Sequence, residues 1–167
     1  FIDASSAHRV DPNWTYGFAE LKPGQRAAIR NARLVSNPGC YPTGFIALLA
    51  PLVARGLLPS NWPYSVHAVS GYSGGGKALI ERFEQGDAPA YRAYGLSLEH
   101  KHLPEMRAHA GLGAAPIFSP AVVPGFRGMV VEVPLPLAAM GGKGNAGDLA
   151  NALGEHYADE ALVSVRQ

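Results

Sequence analysis

The chain holds one cysteine, Cys40, set in the octapeptide Asn-Pro-Gly-Cys-Tyr-Pro-Thr-Gly, between a turn and an apolar run. An ordinary thiol is only slightly ionised at neutral pH, whereas the free N–H groups and partial positive charge of a helix N-terminus favour thiolate. If a helix starts at this turn, Cys40 is a candidate nucleophile; a buried structural cysteine is the competing reading. A second centre is Leu-Glu-His-Lys-His-Leu-Pro-Glu-Met, which gathers His100, His102 and Glu105. In an extended segment the two histidines point the same way, so the cluster suits a His/His/carboxylate metal site, proton transfer by an imidazole, or an exposed polar loop. Thiolate and imidazole together make the arrangement for covalent attack on an acyl carbon.

Two glycine-rich stretches could hold a ligand. Gly71 to Ala78, Gly-Tyr-Ser-Gly-Gly-Gly-Lys-Ala, matches the phosphate-cradling loop except at Ala78, where the hydroxyl that binds Mg²⁺ is missing, which argues against a nucleotide triphosphatase. What remains is a backbone that an anionic or planar ligand can approach closely, with Lys77 adding charge. Gly142 to Gly147 also fits G-x-G-x-x-G, but Pro134, Pro136 and four intervening residues remove the tight strand-to-helix turn that binding pyrophosphate requires. It reads as a solvent loop. His8, His67, His109 and His156 have no such company and read as ordinary surface or core residues.

The elements that must position these residues follow from spacing. Arg33 to Ser36 reads as a strand ended by Asn37-Pro38-Gly39, and a helix follows with Pro42 in its first turn, Phe45, Leu48, Leu49 and Leu52 on one face and Gly56 at its stop. Tyr64 to Ser70 reads as a strand entering the glycine loop, and Ala78 to Glu84 as the helix after it. Residues 86–98 look irregular, Leu103 to Ala110 helical, Ile117 to Val123 and Gly128 to Leu135 extended, and Asp148 to Tyr157 helical. Strands and helices mix without strict alternation, which predicts an α+β fold.

Composition narrows the classes. The 167 residues suit one domain. With 14 basic and 13 acidic residues and no block of like charge, neither a nucleic-acid stripe nor a polybasic membrane patch is present. A single cysteine excludes an internal disulfide and fits a reducing compartment. The opening Phe-Ile-Asp, with no Met and no basic or long apolar segment, reads as the tail of a strand already under way, so a preceding segment is expected. An apolar content of 47% leaves surface for an interface.

Taken in order, NPGCYPTG, SGYSGGGK, LEHKHLPEM and GFRGMVVEVPLPL resemble the N-acetyl-gamma-glutamyl-phosphate reductases of arginine biosynthesis in their shorter bacterial form, the likeness running from DASSAHRV to about Leu135. The resemblance implies NADPH-dependent reduction of an acyl phosphate to a semialdehyde through a cysteine thioacyl intermediate, in the cytoplasm, by a homo-oligomer, dimer or tetramer. It assigns Cys40 as nucleophile and His100 as acid–base residue, with His102 second in line. Tyr94, His102, Glu105, Arg9 and Ser5 would face the substrate, and Ser70, Gly71, Ser73, Gly74 and Gly75 the nicotinamide; no metal is implied. It further implies a mixed, largely antiparallel sheet with helices on one face, as in the C-terminal domains of semialdehyde and glyceraldehyde-3-phosphate dehydrogenases. No nucleotide-binding domain is found, so residues 1–167 are expected to be the catalytic and dimerisation domain, binding NADPH weakly alone. An aspartate-semialdehyde dehydrogenase-like reductase and a non-catalytic phosphate-binding or oligomerisation module are the alternatives.

Overall fold

The computed structural model describes every residue except Asp87, Gly142 and Gln167, so the first glycine of the Gly142 to Gly147 loop lies outside the described residues. Two sheets carry the chain. β1 (Ile2–Asp3), β2 (Thr15–Tyr16) and β3 (Val35–Ser36) form a small parallel sheet in the order β1-β3-β2. The main sheet, in the order β5-β6-β4-β7, contains β4 (Ser65–Gly71), β5 (Arg92–Ala93), β6 (Ile117–Val123) and β7 (Met129–Glu132). Its centre, β4 against β6, is parallel; the flanking pairings of β7 with β4 and β5 with β6 are antiparallel. The helices are α1 (Gln25–Asn31), α2 (Cys40–Ala54), α3 (Lys77–Glu84), α4 (Leu103–His109), α5 (Leu137–Met140) and α6 (Ala146–His156). The α+β class and mixed sheet are as the sequence implies, while the wholly parallel small sheet is an addition: strands of two residues carry no readable alternation.

Alternation along β4 and β6 gives the main sheet two unlike faces. Val66, Ala68, Ser70, Phe118, Pro120 and Val122 are buried on the inner face, whereas His67, Ile117 and Ser119 are exposed on the other. The inner face meets α2, α4 and α6 in one apolar core that includes Phe45, Ile46, Leu49, Met106 and Leu149. On α2 the buried stripe takes Ile46 rather than Leu48, which is exposed. Gly44 lets α2 lie close on β7, since a Cβ there would come within 2.9 Å of a Val131 methyl.

The ends and middle of α2 are specified locally. Gly56, at φ 67°, allows a left-handed stop, in which the Gly56 N–H donates to Val53 O and the Leu57 N–H to Leu52 O. Pro51 lies inside the helix and has no N–H for the carbonyl one turn back, that of Ala47. The Tyr157 hydroxyl at the end of α6 donates to that carbonyl instead, at 2.7 Å, so the defect in one helix becomes the attachment point of another. α6 begins two residues before the Asp148 expected from sequence, because Asn145 and Asp148 form a reciprocal capping box. β7 ends at Glu132, short of the expected Leu135, ahead of Pro134 and Pro136, which lack the N–H a ladder needs. No described helix is long and apolar enough to cross a membrane.

Register places one row of side chains across the whole main sheet. Arg92 lies opposite Val122, Val122 opposite Ser70, and Ser70 opposite Met129. Directly opposed residues share a face, so this row, at the ends of β4 and β6, forms a floor on the helix side. The glycine loop leaves from the same end, as a 3₁₀ turn over Tyr72–Gly75.

Candidate active site

Cys40 is the first residue of α2 and is exposed. Gly39, in extended conformation, precedes it and has no side chain to cap the helix, and no acidic residue occupies the first turn. The N–H groups of the first turn have no partner within the helix, so a positive backbone end surrounds the thiol. Thr43 closes the turn by donating its hydroxyl to Gly39 O at 2.9 Å.

The turn before Cys40 is held from beneath by Glu105, which is only 1% exposed. Its Oε1 accepts from the Gly39 N–H at 2.7 Å and the Tyr16 hydroxyl at 2.6 Å, and its Oε2 from Arg9 Nη1 at 3.2 Å. Arg9 donates in addition to Asn37 O and Ala4 O, and the His109 Nε2–H donates to Arg9 O at 2.7 Å. Burial, and then the Glu105 charge, hold the Tyr16 phenol well above its usual range, so it stays a neutral donor. Gly39 is glycine for steric reasons: a Cβ would come within 3 Å of Arg9 Nη1, Glu105 Oε2 and His102 Nε2. Glu105 therefore lies under the site and does not line its cavity, contrary to the substrate-facing position expected for it. Its three hydrogen bonds also divert it from metal ligation with the histidines, and no group of three or more His, Cys, Asp or Glu side chains among the described residues is placed to hold a metal ion.

A cavity of about 540 Å³ opens above this node. It brings together Arg9, Gly39, Cys40, Tyr94, His100 and His102 with the full set Ser70, Gly71, Ser73, Gly74 and Gly75. Ser5 is not part of it: its hydroxyl donates to Asp3 and accepts from the Ala7 N–H in an exposed turn. The glycines differ in what their smallness serves. At Gly74 a Cβ would meet nothing within 4 Å, so the backbone faces open space, whereas at Gly71 it would strike the backbone of Gly125 and Arg127. Gly71 is thus small because the chain packs against itself there.

The two histidines are not equivalent. His102 is buried, its Nδ1 has no partner, and burial first, then the neighbouring His100, pushes its pKa down to about 3. His100 is half-buried and its Nδ1 accepts the His102 backbone N–H at 3.2 Å, so the neutral ring carries its proton on Nε2. Burial, then Lys101, lowers its pKa as well. Leu98, the one non-glycine residue with positive φ among the described residues, turns the chain two positions earlier. Tyr94 donates to the Tyr41 hydroxyl at 3.3 Å, and that hydroxyl lies 2.8 Å from Ser70 Oγ and 3.2 Å from Ala121 O, tying the residue after the thiol to the sheet floor. Sequence reasoning did not single out Tyr16, Tyr41, Arg92 or Lys101. Tyr41 and Lys101 adjoin residues it did select; Tyr16 and Arg92 sit in two-residue strands whose pairing no local pattern reveals.

A family model described as the semialdehyde dehydrogenase dimerisation domain matches residues 40–167. N-acetyl-gamma-glutamyl-phosphate reductases of Brucella ovis and Brucella canis are each 53% identical over 169 aligned residues, covering 98% of this chain and 54% of theirs. The chain thus spans about half the length of the curated relatives it matches. The aspartate semialdehyde dehydrogenase II of Vibrio cholerae superposes with a TM-score of 0.62 at 19% identity, over 92% of this chain and 52% of that one. The enzyme from Francisella tularensis gives 0.62 at 14%, over 93% and 55%. These two likenesses concern the fold.

Two outcomes follow from the node and the histidines. Glu105→Ala leaves a buried guanidinium, a phenol and an N–H unpaired, and is expected to cost about 3–5 kcal/mol, read from the shift of the urea midpoint. His100, His102 and His109 all have native pKa values below the unfolded value near 6.5. Below pH 6.5 the unfolded chain therefore binds more protons. Stability is expected to decline as pH falls from 6.5 toward 3, and His102→Gln to flatten part of that slope in urea titrations at several pH values.

Proposed function

We propose, from the premise that this chain belongs to the semialdehyde dehydrogenase family through that family's dimerisation domain, that it is the catalytic and dimerisation part of an NADPH-dependent N-acetyl-gamma-glutamyl-phosphate reductase acting in cytoplasmic arginine biosynthesis. The observation that carries this reading is the meeting of Cys40, His100 and the Ser70 to Gly75 loop around one cavity. The 53% identity to reductases of that name supports the choice of substrate over the aspartyl analogue.

The thiolate of Cys40 attacks the acyl carbon, a C–S bond forms, the C–O bond to phosphorus breaks, and orthophosphate leaves with the electron pair. The first-turn N–H groups of α2 face the carbonyl oxygen and stabilise its negative charge in the tetrahedral state. Ser70, Gly71, Ser73, Gly74 and Gly75 fit a nicotinamide, since the Gly74 backbone is open to the cavity. A nicotinamide held by these residues would furnish the hydride that the thioester carbon accepts. The His100 Nε2–H donates a hydrogen bond to the oxyanion that hydride addition leaves, and as that oxyanion collapses to the aldehyde the C–S bond breaks and its electron pair returns to sulfur as the thiolate. Tyr94 and His102 lie on the substrate side, and Arg9 contributes by holding the turn. Nucleotide binding by this chain alone is weak in this reading, the rest of the dinucleotide site being supplied by a separate N-terminal nucleotide-binding domain.

Subunit pairing uses the outer face of the main sheet, where Ile117 and Val130 are exposed, Val130 to 59%. A second copy covering this face gives the domain its dimer.

The acylation half-reaction needs no nucleotide and gives a direct test. Mixed with N-acetyl-gamma-glutamyl phosphate, the chain is expected to release about one equivalent of phosphate and gain the acyl mass on Cys40 by intact-mass spectrometry. Cys40→Ser is expected to lose the adduct while keeping its circular dichroism; an unchanged adduct in that variant refutes the mechanism. Val130→Asp is expected to shift the chain from dimer to monomer in light scattering, and an unaltered mass would rule out this face.

A further inference from the structure

Charge in the cavity is one-sided. Arg9, Arg92 and Lys101 line it, and no carboxylate does so among the described residues. Arg9 is spent: its three nitrogens are committed to Asn37 O, Glu105 and Ala4 O, and its charge is answered by Glu105. Arg92 and Lys101 are exposed, and among the described residues neither forms an ion pair. Register explains why Arg92 faces the cavity: it is in the row of Val122, Ser70 and Met129, all of which line it. Lys101 lies between the two histidines, and its charge reaches both rings.

We infer that Arg92 and Lys101 are anion anchors, and that they make the cavity selective for an acyl phosphate that carries a second anionic group and no free ammonium. The inference rests on the reading of the cavity as an acyl-phosphate site. A dianionic substrate finds two unpaired cations on different elements, one for each end. A guanidinium suits the forked geometry of a carboxylate or phosphate, and a lysine acts as a point charge. An α-ammonium group would enter a field of its own sign with no carboxylate to receive it, whereas an amide in its place carries no charge. Selection against the free amine thus comes from what the wall omits: Glu105 is buried beneath the turn and already paired, and no carboxylate lines the cavity among the described residues.

Protection of Cys40 from iodoacetamide by stable substrate fragments tests this without acyl transfer. N-acetyl-L-glutamate is expected to slow alkylation. Arg92→Gln and Lys101→Gln are each expected to raise the half-protecting concentration on the order of 10-fold or more. L-glutamate, of the same length but with its ammonium, is expected to protect at least about 10-fold less well. Both substituted residues are exposed, and circular dichroism checks that the variants fold. Protection indifferent to both substitutions, equal protection by the two fragments, or none by N-acetyl-L-glutamate overturns the inference. Loss of the acyl adduct with charge-dependent protection intact would count against the reductase chemistry alone.

Discussion

A buried carboxylate fixes the geometry of the turn that carries Cys40. Glu105 reaches from α4 to the Pro38-Gly39 corner and binds a backbone N–H, a phenol and a guanidinium that come from three separate stretches of chain. Withdrawing such a charge from water costs several kcal/mol, and only a full set of donors compensates. The node is therefore intolerant of partial occupancy. Each donor orients the others, and Gly39 has no Cβ because the space beside it is filled by Arg9, Glu105 and His102. The sulfur sits on top of this polar knot while one face of α2 is buried in hydrocarbon, with Phe45, Ile46, Leu49 and Leu52 almost inaccessible.

The main sheet supplies the second fixed reference. Its central strands are parallel and end together, so one transverse row of residues floors the cavity and the glycine loop rises from the same end. The loop is thereby held at a set height relative to the start of α2. Tyr41, next to the thiol, reaches the row through Ser70, which couples the start of α2 to the loop through hydroxyl groups. Antiparallel edges on both sides complete the sheet and bring Arg92 into the row from a strand of only two residues.

Much of this could be read from local sequence. The Pro-Gly corner before Cys40, Pro42 in the first turn and Gly56 at the stop specify α2 almost to its ends, because capping and turn chemistry are local. The seven-residue strands are equally plain from their bounding turns. What escaped was whatever depends on partners distant in the chain. Glu105 reads as a site carboxylate because it stands near two histidines, yet its hydrogen bonds go to Gly39, Tyr16 and Arg9, distant in the chain. Arg92 has no distinguishing neighbour, and only strand pairing puts it in the cavity. Gly71 reads as room for a ligand, when the nearer demand is the backbone of residues 125–127.

The knot beneath the thiol joins Gly39 to a residue 66 positions later, and Arg9 to one 96 positions later. On a ribosome adding roughly 5–20 residues each second, the sulfur emerges several seconds before the carboxylate that will seat it. Throughout that interval Cys40 stands on a nascent chain without the Glu105 contacts that hold its turn. The surroundings of the thiol are thus completed last, as the product of finished tertiary structure.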